Sequence, residues 1–109
     1  MNVLFICTAN RDRSKTAEIY FQNKYPQHRF KSAGINKYLS ERHGGVQVKK
    51  YMLDVADRIV CAEHCHSDYI IRQIDKKYIN KIEILKLEDT GLFMSEDLIN
   101  RLVDKFKIK

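Results

Sequence analysis

The sequence predicts an α/β protein with three layers, α/β/α, built on a mainly parallel four-stranded sheet with a phosphate-binding loop after the first strand. Short apolar runs typical of strands alternate with segments of helical periodicity, and such units place neighbouring strands parallel through right-handed crossovers. The chain has 109 residues, which suits one domain over residues 1–109 with one core. A cysteine and an arginine follow the first strand at its carboxyl end, where open α/β sheets bind ligands.

Four segments are predicted to be strands because each is a short apolar run bounded by polar residues. Three of them, Asn2–Cys7, Arg58–Ala62 and Lys81–Leu87, are rich in valine, isoleucine and leucine. The fourth, His28–Ala33, is less regular.

Two helices are predicted in the first half of the chain. The first begins after Ser14, carries larger side chains at the spacing of one helix face, and ends before Pro26. The second covers Val46 to Leu53, after the Gly44-Gly45 pair that interrupts regular structure.

Two more helices are predicted in the second half. Ser67 and Asp68 suit a helix start, and isoleucines at positions 70, 71 and 74 form its apolar stripe. Ser95-Glu96-Asp97 is a strong N-terminal signature for the last helix, whose apolar residues recur as far as Phe106.

Residues 7–14 read Cys-Thr-Ala-Asn-Arg-Asp-Arg-Ser, between the first strand and the first helix. Backbone N–H groups of such a tight loop, with the N-terminus of the following helix, bind anions. Arg13 adds a planar fork that matches two phosphate oxygens, and the same positive field favours the nucleophilic thiolate of Cys7. The alternative is that Cys7 is a small core residue at the end of a buried strand. The charged residues 11–13 are a poor core sequence, which favours the functional loop.

This motif resembles the phosphate loop of the low-molecular-weight protein tyrosine phosphatases. Further segments match that family in the same order: Asn10, Lys15-Thr16-Ala17-Glu18, Ser32-Ala33-Gly34, Asp57-Arg58-Ile59-Val60 and Leu87-Glu88-Asp89. The resemblance implies phosphomonoester hydrolysis through a phosphocysteine on Cys7, with phosphotyrosine-type substrates. It assigns phosphate binding to Thr8, Ala9, Asn10, Arg11, Asp12, Arg13 and Ser14. It also implies a trimmed family member, shortened between Gly34 and Asp57.

The resemblance implies that Asp89 is the general acid, since it lies on the loop after the last strand and before the C-terminal helix. Thiolate attack on a phosphate monoester releases an alkoxide or phenoxide that needs a proton, and a carboxylic acid supplies it. The Pro and aromatic residue that usually follow this acid are absent, and Thr90 and Gly91 stand in their places. Glu88 is an alternative acid, and a plain acidic turn is another interpretation.

The family also implies supporting roles for Asn10, Ser14 and Ser32, which would hold the loop and hydrogen-bond near the thiolate. Ser14 could instead serve only as a helix cap. An aromatic residue that flanks the substrate ring in the family corresponds to Tyr38, which could equally be a half-buried loop residue.

Two loop residues bear on this resemblance. Members often carry a second cysteine where this chain has Asp12, so a protective disulfide with that residue is not available here. Arg11 at the rim should repel a guanidinium group and disfavour phosphoarginine relative to phosphotyrosine.

The segment Cys61-Ala62-Glu63-His64-Cys65-His66 suggests two alternatives. Zinc binding is one, although structural zinc sites pair two separated ligand knuckles and no second knuckle is present. Thioredoxin-linked arsenate reduction is the other, because such reductases share the Cys-x5-Arg loop and use two further cysteines. A weakly active anion-binding module on the same fold is a third interpretation of the chain.

Composition sets the remaining expectations. The net charge is +6, from 20 basic and 14 acidic residues, which suits anionic substrates such as a phosphorylated protein or a small aryl phosphate. No nucleic-acid-binding module is recognisable, and no apolar run approaches the ~20 residues that span a membrane. Three cysteines and no basic leader favour reduced thiols and a cytoplasmic location. No cofactor and no metal are expected.

Overall fold

The computed structural model describes residues 1–108 and shows a four-stranded, entirely parallel sheet. The strands are β1 (Asn2–Cys7), β2 (Arg29–Gly34), β3 (Arg58–Cys61) and β4 (Ile82–Ile84), in the spatial order β2-β1-β3-β4. The predicted α/β class with a mainly parallel four-stranded sheet is confirmed. Because all strands run in one direction, their carboxyl ends meet at one edge of the sheet, and Cys7 lies there opposite Gly34.

Five α-helices connect or follow the strands. They are α1 (Arg13–Lys24), α2 (Lys37–Arg42), α3 (Lys50–Val55), α4 (His64–Tyr69) and α5 (Glu96–Lys105). A π-helical turn (Ile70–Ile74) continues α4, and a 3₁₀ segment (Lys76–Lys81) leads into β4.

Two apolar cores hold the sheet between layers of helices. On one face, α1 and α5 cover an aromatic cluster in which the Phe106 ring packs at a tilt against Phe21 and edge-on against Phe5, with ring centroids 4.8 Å and 5.1 Å away. On the other face, buried residues of α3 and of the segment after α4, including Leu53 and Ile70, pack on alternate strand residues. The sheet is therefore fixed from both sides, which gives its carboxyl edge a rigid base.

The region between β2 and β3 differs from the predicted helix over Val46 to Leu53. Residues 46–48 are extended beside β2, because the Gly34 N–H donates to the Val46 carbonyl (2.9 Å) and the Val48 N–H donates to the Gly34 carbonyl (2.8 Å). The helix α3 consequently begins only at Lys50. The short helix α2 was not predicted. It is capped by Asn36, whose side chain accepts from the Leu39 N–H at 2.9 Å.

Two further boundaries differ from the prediction by three residues. The helix α4 begins at His64 rather than near Ser67, because Glu63 and His66 bond each other across its first turn. The strand β4 ends at Ile84 rather than Leu87, since Lys86 adopts a positive φ of 59° that breaks the extended backbone. No helix among residues 1–108 has the length and apolar character needed to cross a membrane.

Candidate active site

The loop between β1 and α1 places the sulfur of Cys7 beneath the first turn of α1. Cys7 is 3% exposed, and its Sγ lies 3.0 Å from the Ser14 Oγ. The N-cap of α1 is Asp12 rather than Ser14, so the Ser14 hydroxyl faces the sulfur instead of capping the helix. Such a hydroxyl donates a hydrogen bond to the thiolate and stabilises its charge.

Asn10 shapes the loop from within. Its backbone has a positive φ of 49°, and its side-chain Nδ2 donates to Ser14 Oγ (2.9 Å) and to Ser32 Oγ (2.8 Å). The Asn10 Oδ1 accepts from the Val46 N–H at 3.0 Å. Ser32 in turn donates to the Glu18 carboxylate. Because Ser14 accepts from Asn10, its own hydrogen is free for Cys7, so one directed chain of hydrogen bonds runs from Asn10 to the sulfur.

Two glycines allow the backbone to approach the loop closely from below. A Cβ on Gly34 would lie 2.2 Å from Ser40 Oγ and 2.6 Å from the Thr8 carbonyl oxygen. A Cβ on Gly45 would lie 2.6 Å from Asn10 Oδ1. The end of β2 and the chain after α2 therefore both support the loop directly, and a larger side chain at either position would displace it.

Arg13 connects the loop to the far side of the site. It is 3% exposed, and its Nη1 donates to the Leu87 carbonyl at 2.8 Å and to the Glu63 carboxylate. Its Nε lies 3.5 Å from Asp89 Oδ1, on a side chain that is 70% exposed. The predicted acid thus stands next to the predicted phosphate-binding arginine.

The three residues predicted to carry the chemistry border one cleft. Its volume is about 230 Å³. The lining residues are Cys7, Thr8, Ala9, Arg11, Asp12, Arg13, Leu39, His43 and Asp89. The predicted nucleophile, the predicted phosphate-binding arginine and the predicted acid therefore share one cleft.

Comparison with known proteins gives this constellation a family. The family described as low molecular weight phosphotyrosine protein phosphatase matches residues 2–96. The chain belongs to this family. This places it among the cysteine-dependent protein tyrosine phosphatases, which are hydrolases, with Cys7 at the nucleophile position. No curated protein matches the chain in sequence.

Solved structures show the same fold at low identity. A YwlE mutant from Bacillus subtilis is 22% identical, with a TM-score of 0.71 over 95% of this chain and 97% of that one. The YwlE arginine phosphatase from Geobacillus stearothermophilus is 25% identical, with a TM-score of 0.67 over 95% and 91%. The tyrosine phosphatase Wzb from Escherichia coli K30, in complex with phosphate, is 20% identical, with a TM-score of 0.70 over 94% and 88%.

Tyr38 of this phosphatase does not line the cleft, and its expected role as a substrate wall stays a prediction. Its side chain is 69% exposed, and the Arg42 guanidinium lies 5.9 Å from the ring centroid. Leu39 and His43, one helical turn apart, line the cleft instead. The reason is the helical periodicity of α2, a helix that was not predicted.

Glu63 and His66 of the phosphatase contact the site although neither was a predicted site residue. The His66 Nε2 lies 3.0 Å from Thr8 Oγ1, and its Nδ1 accepts from the Glu63 N–H at 3.0 Å. Burial, helped by the charge of Arg13, lowers the pKa of His66 from 6.5 to about 4, so the ring is neutral near pH 7. A Glu three residues before a His at a helix start is the sequence signal that could have found this pair.

The segment that holds this pair was also considered as a zinc site. Within residues 1–108, no group of three or more histidine, cysteine or acidic side chains is placed to hold a metal ion. Burial raises the pKa of Cys61 to about 12, and Cys61 packs in the core on the opposite face of the sheet from Cys7. A thiol relay from Cys7 through Cys61 therefore finds no support.

Proposed function

We propose that this protein hydrolyses phosphotyrosine-type monoesters through a phosphocysteine on Cys7. The observation that carries the proposal is the cleft in which the Cys7 sulfur, held 3.0 Å from the Ser14 hydroxyl, is bordered by Arg13 and Asp89. Such a combination supplies a nucleophile, a transition-state anion site and a proton donor in one place.

In the first step, the Cys7 thiolate attacks phosphorus and forms the S–P bond while the P–O bond to the leaving group breaks. Asp89, as a carboxylic acid, gives its proton to the leaving oxygen, so the product leaves as a neutral phenol. Its side chain is 70% exposed, which leaves it free to follow the leaving group.

In the second step, a water molecule attacks the phosphocysteine. The Asp89 carboxylate takes the proton of that water, the S–P bond breaks, and inorganic phosphate leaves while the Cys7 thiolate is restored. The Ser14 hydroxyl stabilises the sulfur as it regains its negative charge.

The substrate preference is proposed from the charge at the cleft rim. The Arg11 side chain is 55% exposed, with its Nε 4.0 Å from the Asp12 carboxylate. Another guanidinium brought to this rim would meet a like charge at close range. We therefore place phosphotyrosine proteins or small aryl phosphates above phosphoarginine, although two of the similar structures are of YwlE arginine phosphatases. A reducing, cytoplasmic location is proposed because Cys7 must stay a thiol.

The experiment is turnover of phosphotyrosine, phosphoserine and phosphoarginine peptides by the parent protein and by Cys7→Ser. We expect the parent to prefer phosphotyrosine, and Cys7→Ser to lose turnover while it still binds inorganic phosphate. Phosphate binding without turnover by the parent would point to an anion-binding module. Arsenate reduction that requires both Cys61 and Cys65 would point to a reductase.

A further inference from the structure

We propose that Glu63 and His66 are positioning residues of the phosphate loop, holding Arg13 and Thr8 from the first turn of α4. The proposal rests on the proposed function, because it concerns how the same loop presents its donors to a phosphoryl group. Neither residue borders the cleft described above, so each acts through the residue that it contacts.

Glu63 determines which edge of the Arg13 guanidinium is available. A guanidinium has five N–H donors, of which Nη1 carries two. The Leu87 carbonyl and the Glu63 carboxylate accept from Nη1, so both of its hydrogens are engaged. The edge formed by Nε and Nη2 remains, and Nε already faces Asp89 on the cleft side at 3.5 Å. This edge is a planar fork suited to two phosphoryl oxygens.

His66 determines the direction of the Thr8 hydroxyl. The Glu63 N–H donates to the His66 Nδ1 (3.0 Å), so Nδ1 of the neutral ring carries no proton and Nε2 must carry it. The Nε2–H therefore donates to Thr8 Oγ1 (3.0 Å). The hydroxyl's own hydrogen is left free, and Thr8 borders the cleft. Thr8 becomes a side-chain donor for a phosphoryl oxygen, in addition to the backbone donors of the loop.

Both contacts come from one short element. Glu63 directly precedes α4 and His66 lies in its first turn, so the same turn holds the residue after Cys7 and the arginine at the opposite end of the loop. His66 is fully buried, which restricts its ring to this orientation. One rigid turn thus fixes the distance between two donors that must meet the same phosphoryl group.

The test combines kinetics with a phosphate-binding measurement. His66→Asn keeps an acceptor near the Glu63 N–H but is too short for Thr8, whereas the longer His66→Gln can still donate to Thr8. We expect His66→Asn and Thr8→Val each to lower kcat/KM for an aryl phosphate by about 10-fold or more, the range for one hydrogen bond to a charged network. The double variant should be no worse than either single one, and His66→Gln should recover part of the loss.

The effect of Glu63 on Arg13 is tested with variants at position 63 and the same kinetic measurement. Glu63→Ala should lower kcat by about 10- to 100-fold, because the charged hydrogen bond that orients Arg13 is lost. Glu63→Gln, whose amide oxygen still accepts from Nη1, should recover part of it. His64→Asn is the matched control on the same turn, since the His64 side chain is 76% exposed and should leave kcat unchanged.

The outcomes separate this proposal from the proposed function. If the parent turns over aryl phosphate and the variants at positions 63 and 66 match it, or the losses at Thr8 and His66 simply add, the positioning roles are wrong and the function stands. If the parent shows no turnover, affinity for inorganic phosphate decides. Weaker phosphate binding by His66→Asn and Glu63→Ala, with an unchanged circular dichroism spectrum, supports the positioning roles, and unchanged binding overturns them.

Discussion

Arg13 illustrates how much of this site depends on the geometry of one side chain. Its guanidinium is held through Nη1 by the Leu87 carbonyl and by Glu63, and its Nε lies 3.5 Å from Asp89 Oδ1. A single charge at the same position could not satisfy these partners and also follow two phosphoryl oxygens into the transition state.

Arg13→Lys should therefore lower kcat by at least ~100-fold, as removal of a transition-state donor does. Steady-state kinetics with an aryl phosphate measure the effect. Arg11→Lys is the matched control, because its exposed side chain at the rim is not held in this way. A Lys variant at position 13 within a few-fold of the parent would contradict the two-donor role.

His66 gives a second prediction, on stability. The pKa of His66 is lowered from 6.5 to about 4, so between these values the unfolded chain binds a proton that the native protein does not. Stability is therefore fully present above about pH 6.5 and is lost as the pH falls towards 4, by up to about 3 kcal/mol.

Urea denaturation at neutral pH and near pH 5 measures this slope. His66→Gln should lose the part of the pH dependence that His66 contributes, whereas His64→Gln, at an exposed position, should keep it. An identical pH dependence in the parent and in His66→Gln would show that the His66 ring is not held neutral by the fold.

Sequence reasoning predicted three residues that the structure brings to one cleft. Cys7 and Arg13 lie in one eight-residue segment, and Asp89 was proposed from its order before the last helix. Glu63 was missed because its partner Arg13 is 50 residues away in the chain. The contact between His66 and Thr8 spans 58 residues. Contacts of this kind depend on how the strands are ordered in the sheet, which no local pattern displays.

At the scale of elements, the extended chain that follows α2 supports the loop. Gly45 lies against Asn10, and a Cβ there would meet Asn10 Oδ1 at 2.6 Å, whereas a Cβ on Gly44 would meet nothing within 4 Å. The Gly44 backbone has a φ of 78°, so alanine there costs only local strain of about 1 kcal/mol.

Gly45→Ala should consequently reduce both stability and turnover, because Asn10 must move and release Ser14. Gly44→Ala should lower the free energy of unfolding by the local strain of about 1 kcal/mol and leave kcat unchanged. Thermal unfolding and aryl phosphate kinetics on the two variants test this difference. Equal kcat values for the two alanine variants would mean that the contact with Asn10 does not support the loop.

The loop between β4 and α5 carries Asp89, the acid that we propose. Asp89→Asn should slow hydrolysis of an alkyl or unactivated phenyl phosphate by ~100-fold or more, since a poor leaving group needs a proton in the transition state. A nitrophenyl phosphate, whose leaving group is stable as an anion, should be slowed much less. Glu88→Gln is the control on the same loop.

Leaving-group dependence of kcat/KM measures the acid role directly. Equal losses on both substrate types would assign Asp89 a positional role at Arg13 instead. If Asp89→Asn has no effect and Glu88→Gln does, the acid is Glu88.

The element boundaries show where local patterns are insufficient. The strand β1 was predicted with its observed bounds, Asn2–Cys7. Its continuous apolar run suits a central, buried strand, and no other contact within residues 1–108 opposes that structure. The predicted helix over Val46 to Leu53 begins late, since the backbone of residues 46–48 pairs with Gly34 instead. Tertiary hydrogen bonds outweigh helix propensity there. The strand β4 ends early because Lys86 has a positive φ. Lysine, unlike glycine or asparagine, does not indicate a positive φ in a sequence.

For the whole molecule, the parallel sheet explains why distant parts of the sequence share one cleft. Cys7 ends β1, Arg13 begins α1, and Asp89 follows β4, and all three lie beyond the carboxyl edge of the sheet. The net charge of +6 on 109 residues adds a general attraction for anionic substrates. The fold therefore brings these three residues together, and the hydrogen bonds of the loop fix their positions.

The proposed mechanism requires that Cys7 becomes covalently phosphorylated during turnover. Acid-quenched samples taken in the first turnovers of an aryl phosphate, digested and analysed by mass spectrometry, test it most directly. With nitrophenyl phosphate we predict a phosphoryl group on the peptide that contains Cys7. It should be more abundant in Asp89→Asn, because this leaving group needs little protonation whereas water activation is slowed, and it should be absent in Cys7→Ser. Turnover at the parent rate with no phosphorylated Cys7 at any quench time, or a phosphoryl group on another residue, would contradict the account.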